Sequence, residues 1–213
     1  MINLKTENNS ILNDTVPKSK NQQVYECTRS KLEYLESMQE TSIGKGMLAN
    51  LRRGVGKNLG EVPELWGLVL NRFPKNLLGT KGLSNAEWAV YTALTLYALH
   101  QQGHSEHMNC YTEVSIGTAV AKLIKNDDDM KRILNRLNLV VTAISPNDVE
   151  YHLRGIIQLL SNEGIPLNYS KLARDLYLFR NSDYSENVKL SWGRDFYYEH
   201  FEKPNDKGEN NNE

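Results

Sequence analysis

The amino-acid sequence predicts an all-α protein built as two packed helical-bundle subdomains. Apolar residues recur at helical spacing from Val24 to near the C-terminus, and helix caps and breakers punctuate these runs. No run sustains the period-two alternation with hairpin turns that a sheet of any size needs. With 213 residues, 39% hydrophobic and 24% charged, the chain can bury a sizeable core, which argues against wholesale disorder and a membrane class.

Residues 1–23 are rich in Asn, Lys, Ser and Thr without a period, and are expected to form a flexible arm. From there to residue 40, Val24, Leu32, Leu35 and Met38 fall at helical spacing. Ser42 is the candidate cap of a second helix that stops at Gly54, where glycine accepts the left-handed backbone common at helix ends. Pro63 suits the first turn of a third helix, which carries Leu65, Trp66, Val69 and Leu70 and ends before Pro74. Ser84-Asn85-Ala86-Glu87 is a capping box opening a long helix to about Gln102, closed by Gly103. That helix is apolar most of the way round, so it is expected at the centre.

After a loop over residues 104–113, helices are expected over 115–125, 127–141 and 146–161. Asp127, Asp128 and Asp129 read as an acidic first turn favoured by the helix dipole rather than as a metal site. Ser145 and Pro146 supply the cap and the first-turn proline of the next helix. Beyond Gly164-Ile165-Pro166, Leu172, Leu176 and Phe179 share one side of a helix over 170–179, and residues 188–201 form the last. The expected organisation is an arm over 1–23, a bundle over 24–125, a second bundle over 126–201 that meets the first near residues 125–145, and an acidic disordered tail over 202–213.

The longest apolar stretch, residues 89–99, is too short for a bilayer and is interrupted by Tyr91, Thr92, Thr95 and Tyr97. The N-terminus has no secretory apolar region, and Cys27 and Cys110 alone give no disulfide framework. A cytoplasmic protein with reduced thiols and no membrane partner follows. The net charge of -1 conceals segregation: residues 41–60 hold Lys45, Arg52, Arg53 and Lys57 with no acid, whereas residues 199–213 hold five acids against two lysines. A basic patch on a neutral chain fits one surface facing a polyanion and others facing proteins.

Gly54-Val55-Gly56-Lys57 resembles a phosphate loop only superficially: Leu51 stands where the first glycine belongs and Asn58 where the hydroxyl belongs, and a helix precedes it. His100, His104, His107 and Cys110 are ligand types that zinc accepts, but Gly103 breaks the helix between the first two and a solvated loop explains them as well. No nucleophile motif is present, although triads assemble in space. Arg52 and Arg53 beside two glycines could grip a phosphate backbone or complement a helix C-terminus. Lys122, Lys125, Lys131, Arg132 and Arg136 form a second cluster that a solvated face would also explain. Arg154 lies off the Val149, Leu153, Ile157, Leu160 stripe, and Arg194 is open either to pairing with Asp195 or to nucleic acid. Trp66, Trp88 and Trp192 sit among apolar neighbours and are expected in the core.

Leu51-Arg52-Arg53-Gly54 with Gly56-Lys57, Pro63-Glu64-Leu65-Trp66, Glu87-Trp88-Ala89, Leu137-Asn138, His152-Leu153-Arg154-Gly155-Ile156 and Trp192-Gly193-Arg194-Asp195-Phe196 recur in this order. The set resembles the CasB family, the small subunit of the type I-E CRISPR surveillance complex called Cascade, over about residues 26–198. The resemblance implies an all-α fold of two helical subdomains, no enzymatic activity and no cofactor. It also implies a second copy and the backbone and large Cascade subunits as partners, with the guide RNA and the target and non-target DNA. On it, Arg52, Arg53 and Lys57 are the leading candidates for phosphate contact, followed by Arg136, Arg154 and Arg194, with Lys122 an addition. Two rival readings stay open: a protein-protein adaptor whose arginines serve interfaces, and a metal-dependent enzyme centred on His100, His104 and His107.

Overall fold

The computed structural model describes residues 18–201, so residues 1–17 of the expected arm and the whole tail over 202–213 lie outside the described residues. Nine α-helices occur among the described residues: α1 Lys20–Met38, α2 Ser42–Gly54, α3 Trp66–Leu70, α4 Asn85–His100, α5 Ile116–Ala121, α6 Asp127–Thr142, α7 Pro146–Asn162, α8 Tyr169–Phe179 and α9 Ser182–Phe201. Short 3-10 turns precede α3 and α4, and the only strand-like pairing described is a single bridge between Asn109 and Leu167.

The capping box of α4 forms as expected. Ser84 Oγ accepts from the Glu87 amide at 3.1 Å, and Glu87 Oε2 accepts from the Ser84 amide at 2.8 Å. Every α4 residue except Asn85 and Leu99 is buried. Helices α1, α2, α3, α7 and α8 cover it. One buried core draws on residues of both expected bundles, and α4 contacts α7 and α8 across them. Helix α8 lies on α1 and α4, while α9 packs on α5 and α8.

Several element boundaries differ from expectation for identifiable reasons. Helix α1 begins at Lys20. Its first turn is polar and is tied down by Gln22 and Lys18 reaching Glu26, so apolar spacing marks its start only at Val24. Thr41 caps α2 by accepting from the Gly44 amide at 3.0 Å, one residue before the expected Ser42. The third helix is split into a 3-10 turn, Pro63–Leu65, and the short α3. Leu65 and Val69 point inward, four residues apart, which leaves Trp66 on the outside. Trp66 is 45% exposed with its indole donating to the Leu59 carbonyl, correcting the expectation that all three tryptophans are core; Trp88 and Trp192 are buried. Helix α5 is cut to Ile116–Ala121, and α9 starts one and a half turns early at Ser182 through a polar first turn.

Several buried polar groups find partners across elements. Lys31 Nζ donates to the Leu68 and Asn71 carbonyls at 3.0 and 2.9 Å, closing the C-terminal end of α3 from inside. The Trp192 indole donates to Asp175 at 3.0 Å, and burial pushes that carboxyl above the usual range. Helix α5 meets α9 so closely that a Cβ on Gly117 would lie 2.0 Å from the Trp192 carbonyl oxygen. Gly117→Ala should therefore force the pair apart at a cost of about 1–3 kcal/mol. Scanning calorimetry should record a Tm lower by roughly 2–10 °C, and an unchanged Tm would show that the contact relaxes freely.

Candidate nucleic-acid interface

The basic end of α2 is anchored from below. The Tyr91 hydroxyl donates to the Gly54 carbonyl at 2.8 Å, and a Cβ on Gly54 would lie 2.6 Å from that hydroxyl. Gly54 is thus a packing glycine within the helix, not the left-handed terminator expected there. The left-handed residue is Gly56, at φ 77°. Its amide donates to Glu150 Oε1 of α7 at 2.6 Å, a bond across 94 residues. Burial pushes the Glu150 carboxyl up from its ordinary range, opposed by the Gly56 amide and by the positive charge of Arg154.

This tether sets the Gly54-to-Lys57 loop beside α7, and two adjoining clefts result. One, of about 330 Å³, is lined by Val55, Gly56, Asp148 and Glu150; the other, of about 350 Å³, by Arg136, Leu139, Gly155 and Gln158. Tyr151 and Arg154 line both. Arg136 reaches across from α6 to Gly155, its Nη1 lying 3.7 Å from where a Cβ on that glycine would be, an ordinary van der Waals distance.

The other expected site residues are dispersed. Arg52 faces a separate cleft with Lys45, Gln102 and His104, and exposed Arg53 donates to Asn50 at 3.2 Å. Lys122 stands 4.0 Å from Glu199 of α9, while Arg194 is exposed on α9 and makes no ion pair with Asp195. Among the described residues, the side chains of Arg52, Lys57, Arg136, Arg154 and Arg194 have neither an ion pair nor a hydrogen bond. In the second basic cluster, Lys125 pairs with Glu163 and Arg132 with Asp129. Arg132 and two backbone amides hold the Asp129 carboxyl below its ordinary range.

The histidines are bound one by one. His100 Nδ1 lies 2.9 Å from the Tyr169 hydroxyl, His104 Nε2 3.0 Å from Ser161 Oγ, and His107 Nδ1 3.1 Å from Gln39 Oε1. Among the described residues no three His, Cys, Asp or Glu side chains converge as a metal site would require. Sequence patterns passed over Glu150, Tyr151 and Gly155 as participants. The available signal was Glu150 itself, an acid one turn before Leu153 on the buried stripe of α7.

Glu150→Ala should raise hydrogen exchange at the Gly56 amide by about tenfold or more, whereas Glu150→Gln keeps an acceptor and should preserve protection. Burial, helped by His104, pushes the His100 imidazole from 6.5 down to about 4. The unfolded chain then takes up the proton first on acidification, so this stabilisation is complete above about 6.5 and is lost as pH falls through about 4. Thermal unfolding from pH 7 to pH 4 should show a loss on the order of 3 kcal/mol that is reduced in His100→Gln.

Residues 47–197 match the family model for CRISPR-associated protein Cse2. The crystal structure of CasB from Thermobifida fusca is 31% identical with a TM-score of 0.67, covering 83% of this chain and 97% of that one. M. ruber CasB shares the fold at 22% identity and a TM-score of 0.60, over 80% of this chain and 92% of that one. A chain of a CRISPR RNA-guided surveillance complex shares it at 17% identity and 0.62, over 83% and 95%. No curated protein sequence matches.

Proposed function

The chain belongs to the CRISPR-associated Cse2 (CasB) family, and from that premise we propose that it is the non-catalytic small subunit of a type I-E CRISPR interference complex. In this role it holds nucleic acid through basic residues, without reading sequence, and stabilises the hybrid of guide RNA and target DNA together with the displaced strand. Its protein partners are the backbone and large subunits and a second copy of itself, in the cytoplasm. The occurrence of the same fold in a CRISPR RNA-guided surveillance complex supports this assembly.

One observation carries the nucleic-acid role: Arg136 and Arg154 meet around Tyr151, and the Gly56–Glu150 bond draws the loop bearing Lys57 beside them. Exposed guanidinium groups without acid partners have donors to offer phosphate oxygens. Exchange of a DNA duplex for an RNA-DNA hybrid is nearly balanced in energy, so a few phosphate contacts are enough to tip it. Arg52, Arg53 and Arg194 act as outlying phosphate contacts. Lys122 belongs with them more weakly, because Glu199 already stands beside it. Contacts of this kind position the strand and leave sequence to base pairing.

Arg136→Ala with Arg154→Ala should weaken retention of unrelated DNA sequences alike and lower the slope of log K against log salt by roughly 2. Binding titrations of the assembled complex at several salt concentrations measure both. An unchanged slope with failed assembly would instead make these arginines interface residues of an adaptor.

A further inference from the structure

We infer that Tyr151 is a stacking platform for an unpaired nucleobase, so that the α6–α7 face takes single-stranded nucleic acid by a base as well as by phosphates. The inference rests on the nucleic-acid role proposed above and adds to it a ligand class and a residue.

Tyr151 is 73% exposed on α7, more than any other tyrosine, tryptophan or phenylalanine among the described residues. It stands at the junction of the two clefts and lines both. An edge-to-face contact with His152, centroids 5.3 Å apart, restrains the ring. The clefts on its two sides differ in charge. Arg154 lines both, and one cleft adds Arg136; neither arginine has an ion pair or a side-chain hydrogen bond. The other cleft adds Asp148 and the buried Glu150, which makes it the less favourable of the two for a phosphate.

A nucleotide has this same division. Its phosphate is anionic and its base is uncharged at neutral pH, with a flat face that stacks on aromatic rings whatever the sequence. The phosphate belongs on the Arg136 side and the base against Tyr151, toward the Gly56 side. There, exocyclic amino groups meet Asp148, whose carboxylate accepts from Ser145 Oγ at 2.6 Å and has a second oxygen to offer. At about 330 Å³ the cleft falls in the range of small-ligand sites. A duplex keeps its bases stacked inside and can offer only phosphates, so this arrangement discriminates single from double strands.

The test uses the full-length chain with a labelled pyrimidine oligonucleotide and a duplex of equal length. Tyr151→Ala should weaken single-strand binding about tenfold. Duplex binding and the salt slope should be unchanged, because no phosphate contact is lost, and Tyr151→Phe should bind as the parent does. Equal loss on both ligands would overturn the inference, making the ring a shaper of the phosphate track. No loss on the single strand would overturn it too. Arg136→Ala with Arg154→Ala in the same assay separates the two claims: a loss there with Tyr151→Ala silent refutes only the stacking platform, whereas no loss in either refutes the interface and the platform together.

Discussion

A helix that is apolar around its whole circumference is stable in water only if other elements cover every side of it, and α4 imposes that requirement on this chain. The other helices are arranged to meet it. Because α1, α2 and α3 cover only part of the surface, α7 and α8 must return from the far half of the chain to complete it. Two of the polar side chains that α4 carries inward bond to those covering elements: the Tyr91 hydroxyl to the α2 carbonyl of Gly54, and His100 Nδ1 to Tyr169 of α8. The end of α2 is thereby fixed to the core by the same helix that organises the fold.

The candidate interface is a by-product of that fixation. With Gly54 held under Tyr91, the chain can leave α2 only by a sharp turn, and left-handed Gly56 provides it with its amide facing α7. Glu150 satisfies that amide from α7, and Tyr151 and Arg154, one and four residues further on, are exposed to solvent. Two cations from separate helices then share one surface, with Arg136 Nη1 lying over Gly155 of α7.

Local chemistry made most of the helices legible from sequence. Ser84 with Glu87, Ser145 with Pro146, and the apolar stripes of α7 and α8 write their elements into a few neighbouring residues. What escaped was set by tertiary contact. The role of Gly54 depends on a tyrosine 37 residues away, and the outward turn of Trp66 depends on which of two adjacent positions faces α4. The basic residues were legible as types but not as a surface. Spacing put Arg52, Arg53 and Lys57 together, whereas the fold sends Arg52 to another cleft and sets the Lys57 loop near Arg154, almost a hundred positions on.

The pairing of α8 with α1 has a consequence for how the chain is made. A ribosome releases α1 and α4 long before residues 169–179 exist, so for most of synthesis the central helix has an open flank. Contacts so distant in sequence form late, after a large loop has closed. A product ending before Tyr169 would expose the apolar surface that α8 covers, so truncated translation products should be substrates for chaperones and proteases rather than partially working subunits.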